Sequence, residues 1–391
     1  MQKRKNRWYI AVAAVVILAV VLVLAVVPGK KGKNKKDPKM IEPTQQEQAS
    51  EIPTETEEVF DYSATETAET KSLPKSVVSK QGILIDVDAG TILAGKDALK
   101  RMIPASMTKI FTVLVAAENI KPEQLDELVT ISIDATDFSY SNDCSNTGYE
   151  VDEQVTVRDL FYGTILPSGA DSAVSLATYV AGSQEAFVDM MNQELEKMGL
   201  SETTHFTNCV GIYNDDHYST PYDMAMLARK AMSEKVIREI VSTKSISFKQ
   251  QNTATSKINT SRYFTNTNLF LTSNDKITYR KQSIPIKYDI VDGIKTGYTD
   301  LAGRCLLSSA VKNDMRVIAA VFKSFGTNVY VDSRTLLDYG FENYTSKTII
   351  NKDDYTKTKR VLFTKEKEFI YQPKSSYKLI LKNQVKLKNS D

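Results

Sequence analysis

Ser106 and Lys109 stand three residues apart in the stretch Pro104-Ala105-Ser106-Met107-Thr108-Lys109-Ile110. On a helix that spacing puts both side chains on one face. A free serine is a weak nucleophile and needs a base to take its proton. A lysine amine can do this if burial or a nearby cation lowers its pKa. The same spacing recurs at Ser72–Lys75, Ser273–Lys276, Ser309–Lys312 and Ser375–Lys378, so spacing alone identifies nothing. The first pair differs in its setting. Ile110, Val113, Leu114 and Ala117 follow at helical intervals, so Ser106 opens an apolar helix behind Pro104. A capping serine followed by a solvated lysine would satisfy the same pattern.

Two further groups narrow the choice. Ser168 lies in Leu166-Pro167-Ser168-Gly169-Ala170-Asp171, between two stretches with helical spacing. Lys295, Thr296, Gly297 and Tyr298 lie in Asp292-Gly293-Ile294-Lys295-Thr296-Gly297-Tyr298, which reads as a strand. A glycine inside a strand often marks close approach by another backbone or a ligand. Lysine and threonine beside it suit recognition of a carboxylate. Each element alone is weak, but a serine–lysine helix, a serine turn and a Lys-Thr-Gly strand in that order form a strong signal. The chain has two histidines, His205 and His217, and three cysteines, Cys144, Cys209 and Cys305. No spacing among them suits a metal, so no metal site is expected. The odd, sparse cysteines also argue against a disulfide framework. A net charge of +2 gives no reason to expect a nucleic-acid partner.

The elements that must hold these residues can be read along the chain. Gly82–Val87 and Thr91–Ala94 read as two strands around the turn Asp88-Ala89-Gly90. Segments 159–165, 172–180, 185–198 and 221–232 have helical spacing. Segments 290–298, 304–311 and 316–322 read as strands, and 328–339 as a closing helix. Strands at both ends with helices between them predict an antiparallel sheet assembled from N- and C-terminal parts. Residues 346–391 are rich in lysine, with short alternating stretches such as Tyr377–Leu381, and are expected to form at most a small β extension.

Ahead of this region, Trp8–Val27 is an unbroken apolar run of bilayer-spanning length, preceded by Lys3, Arg4, Lys5 and Arg7. A cleaved signal peptide would have a shorter apolar core ending in an A-x-A-like site, and the run ends Ala25-Val26-Val27-Pro28. Residues 1–28 are therefore expected to be an uncleaved transmembrane anchor. Five lysines between Lys30 and Lys36 follow the run, so the positive-inside comparison opposes a cytoplasmic N-terminus. Residues 29–75, rich in Thr, Gln and Glu after a basic start, are expected to be a disordered linker.

Between about Ser76 and Phe341 the chain resembles the serine D-alanyl-D-alanine carboxypeptidases, the low-molecular-mass penicillin-binding proteins. The resemblance rests on Pro104–Ile110, on Phe206-Thr207-Asn208 with Gly211, and on His217-Tyr218-Ser219-Thr220-Pro221-Tyr222-Asp223. It continues through Gly293–Thr299, Ala302-Gly303-Arg304-Cys305-Leu306 and Leu336–Phe341. It implies an α+β fold within the broad α/β class: an antiparallel sheet flanked by helices, with a helical subdomain and a groove between. Residues 76–345 would form this domain. Ser106 would be the nucleophile and Lys109 its base, with Ser168 relaying a proton. Lys295 and Thr296 would bind the substrate carboxylate, and the Ser106 and Tyr298 N–H groups would form an oxyanion hole. The implied substrate is a peptidoglycan stem peptide ending in D-Ala-D-Ala, cleaved without a cofactor outside the membrane, with β-lactams as covalent inhibitors. One departure stands out. The family's second motif is Ser-x-Asn, and Ala170 replaces the asparagine, so a weakened site is expected. A β-lactamase shares the first and third motifs but needs a separate deacylation base, and no supported E-x-x-x-N pattern supplies one. A non-catalytic penicillin-binding sensor or wall-binding module is the other alternative, which Ala170 favours and the retained Ser106, Lys109 and Lys295 oppose.

Overall fold

The computed structural model describes residues 62–249 and 261–350, with the strand segments Lys357–Arg360, Glu368–Tyr371 and Tyr377–Lys382. The apolar run Trp8–Val27 and the linker up to residue 61 lie outside the described residues. Among the described residues no helix is long and apolar enough to cross a membrane.

Six strands form the central sheet: β1 (Thr65–Ser72), β2 (Gln81–Asp86), β3 (Thr91–Lys96), β4 (Val291–Thr299), β5 (Gly303–Lys312) and β6 (Met315–Ser324). Their order is β1-β3-β2-β6-β5-β4, so the first three strands join the last three through the β2–β6 pair. Every pair is antiparallel except β1–β3, which is parallel. The apolar pattern of β6 explains how the sheet is covered on both faces. Val317, Ala319 and Val321 enter one core cluster, and Ile318, Ala320 and Phe322 enter the other. Side chains alternate faces along a strand, so a strand apolar at consecutive positions must be buried on both sides.

Helix α8 (Asn328–Asn343) covers one face, packing Leu336 and Leu337 against Leu84 and Val317. The other face meets α1 (Thr108–Asn119), α3 (Val157–Ile165), α4 (Ala170–Ala181), α5 (Gln184–Lys197) and α6 (Pro221–Ala231) in a single apolar cluster. Two further helices, α2 (Ile133–Ser141) and α7 (Lys235–Ser242), belong to the helical part, and Leu269–Thr272 forms a single helical turn ahead of β4. Several starts follow from capping: Thr156, Ser183 and Thr220 each accept a backbone N–H from the third residue of the helix they open.

The linker boundary expected at residue 75 needs correction, because Thr65–Ser72 is a strand within it. Its side chains are almost all exposed, so no apolar alternation announces it. Backbone pairing to β3 holds it, and a charged, threonine-rich edge strand is a usual way to end a sheet. Beyond α8, Tyr344–Ile350 pairs with Tyr377–Lys382 and Lys357–Arg360 with Glu368–Tyr371, both antiparallel.

Candidate active site

The nucleophile turn is held in an unusual backbone conformation. Ala105 has φ +50°, in the left-handed region, and the three residues Ala105–Met107 form a single 3₁₀ turn leading into α1. Such conformations cost about 1–3 kcal/mol and persist only where the surroundings enforce them. Two glycines do so here. A Cβ on Gly211 would sit 1.9 Å from the Ala105 carbonyl oxygen, and one on Gly297 would sit 3.2 Å from the Pro104 carbonyl oxygen. Backbone therefore presses on the turn from both the 207–212 loop and strand β4. Asn208 shapes that loop, its Oδ1 accepting the N–H groups of Val210, Gly211 and Ile212 at 2.7–3.2 Å.

Lys109 is the second residue of α1 and is almost fully buried. Its Nζ donates to Ser106 Oγ at 3.2 Å and to the Val210 carbonyl at 3.0 Å. Burial pulls its pKa down to about 8, with the Cys144 and Cys209 thiols and Asp171 acting in the opposite direction. Lys295, on β4, is equally buried and donates to the Thr296 carbonyl at 3.1 Å. Its pKa falls well below the ordinary lysine value, first through burial and then through the nearby charge of Lys109. A buried amine whose pKa is lowered to about 8 has a neutral fraction near neutral pH, and within hydrogen-bond reach of a serine hydroxyl that fraction can act as its base.

Ser168 also has a left-handed backbone, φ +64°, between α3 and α4. Its hydroxyl is buried with no protein hydrogen-bond partner, although it lines the same groove as Ser106 and Lys109. A buried polar atom left unpaired in a groove is available to a ligand or a water. Thr296 Oγ1 lies 2.7 Å from Thr267 Oγ1. Gly297 and Tyr298 continue the wall, and the groove encloses about 860 Å³. Six of the expected site residues, Ser106, Lys109, Ser168, Thr296, Gly297 and Tyr298, thus line one groove, brought there by the turn into α1, α1 itself, the α3–α4 turn and β4, while Lys295 lies buried behind the wall within reach of the Lys109 charge. Among the described residues no group of three His, Cys, Asp or Glu side chains is placed to hold a metal.

Several contributors had no mark in the sequence. The Val210 carbonyl that accepts from Lys109 is a backbone group and has no residue signature. Thr267, from a loop, and Tyr330, from the first turn of α8, lie outside the motifs, and Cys144 and Ser145 line the groove from the loop after α2. The Ser145 carbonyl accepts the N–H of Ala170 at 2.8 Å, and Asp171 accepts the Thr147 N–H at 2.9 Å, so this loop is tied to the head of α4. Ala170 itself is fully buried. His217 Nδ1 accepts the Thr207 N–H at 3.1 Å, which leaves Nε2 to donate to Thr108 Oγ1 at 2.9 Å. Burial lowers its pKa to about 3, so it is a neutral brace between loop and helix rather than a base.

Known proteins point to one family. The chain is 30% identical over 290 residues to the D-alanyl-D-alanine carboxypeptidase DacF of Bacillus subtilis, covering 74% of this chain and 69% of that protein. It is 34% identical over 275 residues to the D-alanyl-D-alanine carboxypeptidase of Streptomyces sp. K15, covering 68% and 88%. The crystal structure of the Streptomyces K15 DD-transpeptidase superposes with a TM-score of 0.61 at 32% identity, over 69% of this chain and 99% of that one. Penicillin binding protein 5 from Haemophilus influenzae superposes with a TM-score of 0.60 at 26% identity, over 79% and 84%. The sequence profile of the S11 peptidases, the D-alanyl-D-alanine carboxypeptidases, matches residues 66–326, from the first strand to just past the end of β6. With its serine–lysine pair, serine turn and Lys-Thr-Gly strand around one groove, the chain belongs to the D-alanyl-D-alanine carboxypeptidase family of serine peptidases.

Proposed function

We propose that the protein is a membrane-anchored, extracytoplasmic enzyme in which Ser106 is acylated by the D-Ala-D-Ala end of a peptidoglycan stem peptide. Lys109 takes the Ser106 proton as Oγ attacks the penultimate carbonyl. The N–H groups of Ser106 and Tyr298 receive the developing oxyanion, a type of interaction whose loss costs about 3–4 kcal/mol of barrier. Ser168 hands a proton to the departing D-alanine amine and takes up in its place the proton that Lys109 removed from Ser106, which returns Lys109 to its neutral form. Water, activated by Lys109, then resolves the acyl-enzyme. Lys295 and Thr296 meet the substrate's carboxylate end. A β-lactam enters the same path and acylates Ser106 as its ring opens. The reaction so written uses no metal or organic cofactor. The anchor is Trp8–Val27, an inference from the sequence alone, and it would keep the groove near its polymeric substrate.

The observation that carries this reading is the 3.2 Å hydrogen bond between Ser106 and a buried Lys109 whose pKa is lowered to about 8. A β-lactamase or a non-catalytic binder is less consistent with the carboxypeptidase relatives. The test uses the residue 62–391 protein with fluorescent penicillin and a D-Ala-D-Ala peptide. The wild type should label covalently and release D-alanine. Ser106→Ala should do neither while keeping its melting temperature within a few degrees. Covalent labelling of Ser106→Ala would remove Ser106 as the nucleophile.

A further inference from the structure

Lys295 is an incomplete answer to how a free carboxylate is recognised. It lies buried beside Lys109, its amine already donates to the Thr296 carbonyl, and both burial and its neighbour disfavour its proton. An amine enclosed behind the groove wall and already engaged with backbone is a poor first contact for an incoming carboxylate. A cation exposed on the wall would serve better.

Arg304 has that property and that position. It opens β5 directly opposite Tyr298 of β4, and paired residues on neighbouring strands project to the same face of a sheet. Thr296, two residues before Tyr298, projects to that face as well. All three line the groove. The guanidinium lies 4.7 Å from the Tyr298 ring centroid, a stacking contact that holds the arginine without occupying its N–H donors. The Tyr298 hydroxyl is tied to Asp300 at 2.8 Å, which steadies the ring beneath it. Among the described residues the Arg304 side chain has no hydrogen-bond or ion-pair partner, while its charge reaches Tyr330 on the far side. An exposed guanidinium, five donors in a fixed fork and a threonine hydroxyl on the same wall make a bidentate receptor for a carboxylate.

We propose that Arg304 is the charge anchor for the substrate's free terminal carboxylate, and that it sets the preference for a free C-terminus over an amidated or internally linked one. This rests on the functional reading above. A hydrogen bond to a charged group is strong enough for a preference of roughly ten- to hundredfold.

The experiment compares two peptides that differ only at the C-terminus, D-Ala-D-Ala acid and D-Ala-D-Ala amide. kcat/KM for release of the last residue is measured on wild type, Arg304→Gln and Arg304→Lys. Wild type should favour the acid about ten- to hundredfold, and added potassium chloride should shrink that ratio, since the anchor is exposed. Arg304→Gln should lose acid turnover with little change on the amide, so the ratio collapses towards one. Arg304→Lys should recover part of the preference. A merely structural role would lower both substrates together and leave the ratio intact. If Arg304→Gln fails to fold, the salt dependence of the wild-type ratio and the lysine variant still decide the matter. An Arg304→Gln enzyme that keeps the acid preference overturns this proposal alone. A wild type that releases neither residue and takes no penicillin overturns the functional reading, and this proposal with it.

Discussion

Lys109 and Lys295 rank among the largest fully buried side chains of the domain, in the company of Phe111 and Phe161. Lysine is seldom so enclosed, because burial disfavours the charged form. For Lys109 the result is a pKa of about 8, some way below the ordinary 10.5. A base works only when unprotonated, so the acylation rate should climb about tenfold per pH unit below this value and level off above it. Stopped-flow labelling with penicillin between pH 6 and 10 measures this directly. A rate that keeps rising beyond pH 10 would mean that Lys109 holds its proton like an ordinary lysine. Ala170 provides a second prediction. The missing asparagine suggests a weakened second motif, yet Ala170 is fully buried where the Ser145 carbonyl takes its N–H, and Cys144 and Ser145 line the groove from that loop. Restoring asparagine by Ala170→Asn should overpack this junction, cost about 1–3 kcal/mol of stability and leave D-alanine release no faster. Thermal melts and steady-state kinetics on both proteins test it, and faster peptide turnover in the variant would show that the corner has room for the amide.

Strand β1 adds little apolar burial, but it closes several polar contacts. The Arg229 guanidinium donates to the Ser63 carbonyl just ahead of it at 2.6 Å, and the Tyr344 hydroxyl donates to the Glu69 carbonyl at 3.0 Å. A protein starting at Ser76 should therefore be less stable than one starting at Tyr62 by about 0.5–1.5 kcal/mol for each hydrogen bond lost. Urea unfolding of the two proteins gives the difference, and equal midpoints would mean that β1 is an ornament on the sheet edge. That strand also marks where sequence reading ends. β2, β5, β6 and the helices around α1 were legible because burial on one or both faces writes an apolar period into them. β1 is paired through its backbone and faces solvent, so nothing in Thr-Glu-Thr-Ala-Glu-Thr-Lys-Ser distinguishes it from a linker. The site divides the same way. Ser106, Lys109, Ser168 and Lys295–Tyr298 were legible because their chemistry requires those side chains at those spacings. The Val210 carbonyl and the Ala170–Ser145 contact were not, because backbone groups are the same at every residue. Thr267 and Tyr330 were missed because folding, and not sequence proximity, brings them to the groove.

At the scale of the whole molecule, the proposed anchor and tether make a prediction that charge placement sharpens. If Trp8–Val27 spans the membrane with the catalytic domain outside, the segment after it is exposed to an added protease. Lysines are dense from Lys30 to Lys39, and then none, nor any arginine, occurs before Lys71. Lys71 lies in β1, paired to Ala94 of β3, so native pairing should slow cleavage there. Trypsin added to intact protoplasts should therefore release a soluble, penicillin-binding product whose N-terminus is Met40 or earlier in the basic stretch. N-terminal sequencing of the released band distinguishes this from cleavage at Lys71. The lysines that follow the apolar run oppose this topology by the positive-inside comparison, which makes the experiment decisive rather than confirmatory. Protection in intact protoplasts, with cleavage only after lysis, would place the groove on the cytoplasmic side. Its proposed substrate, the stem peptides of the assembled wall, would then be out of reach.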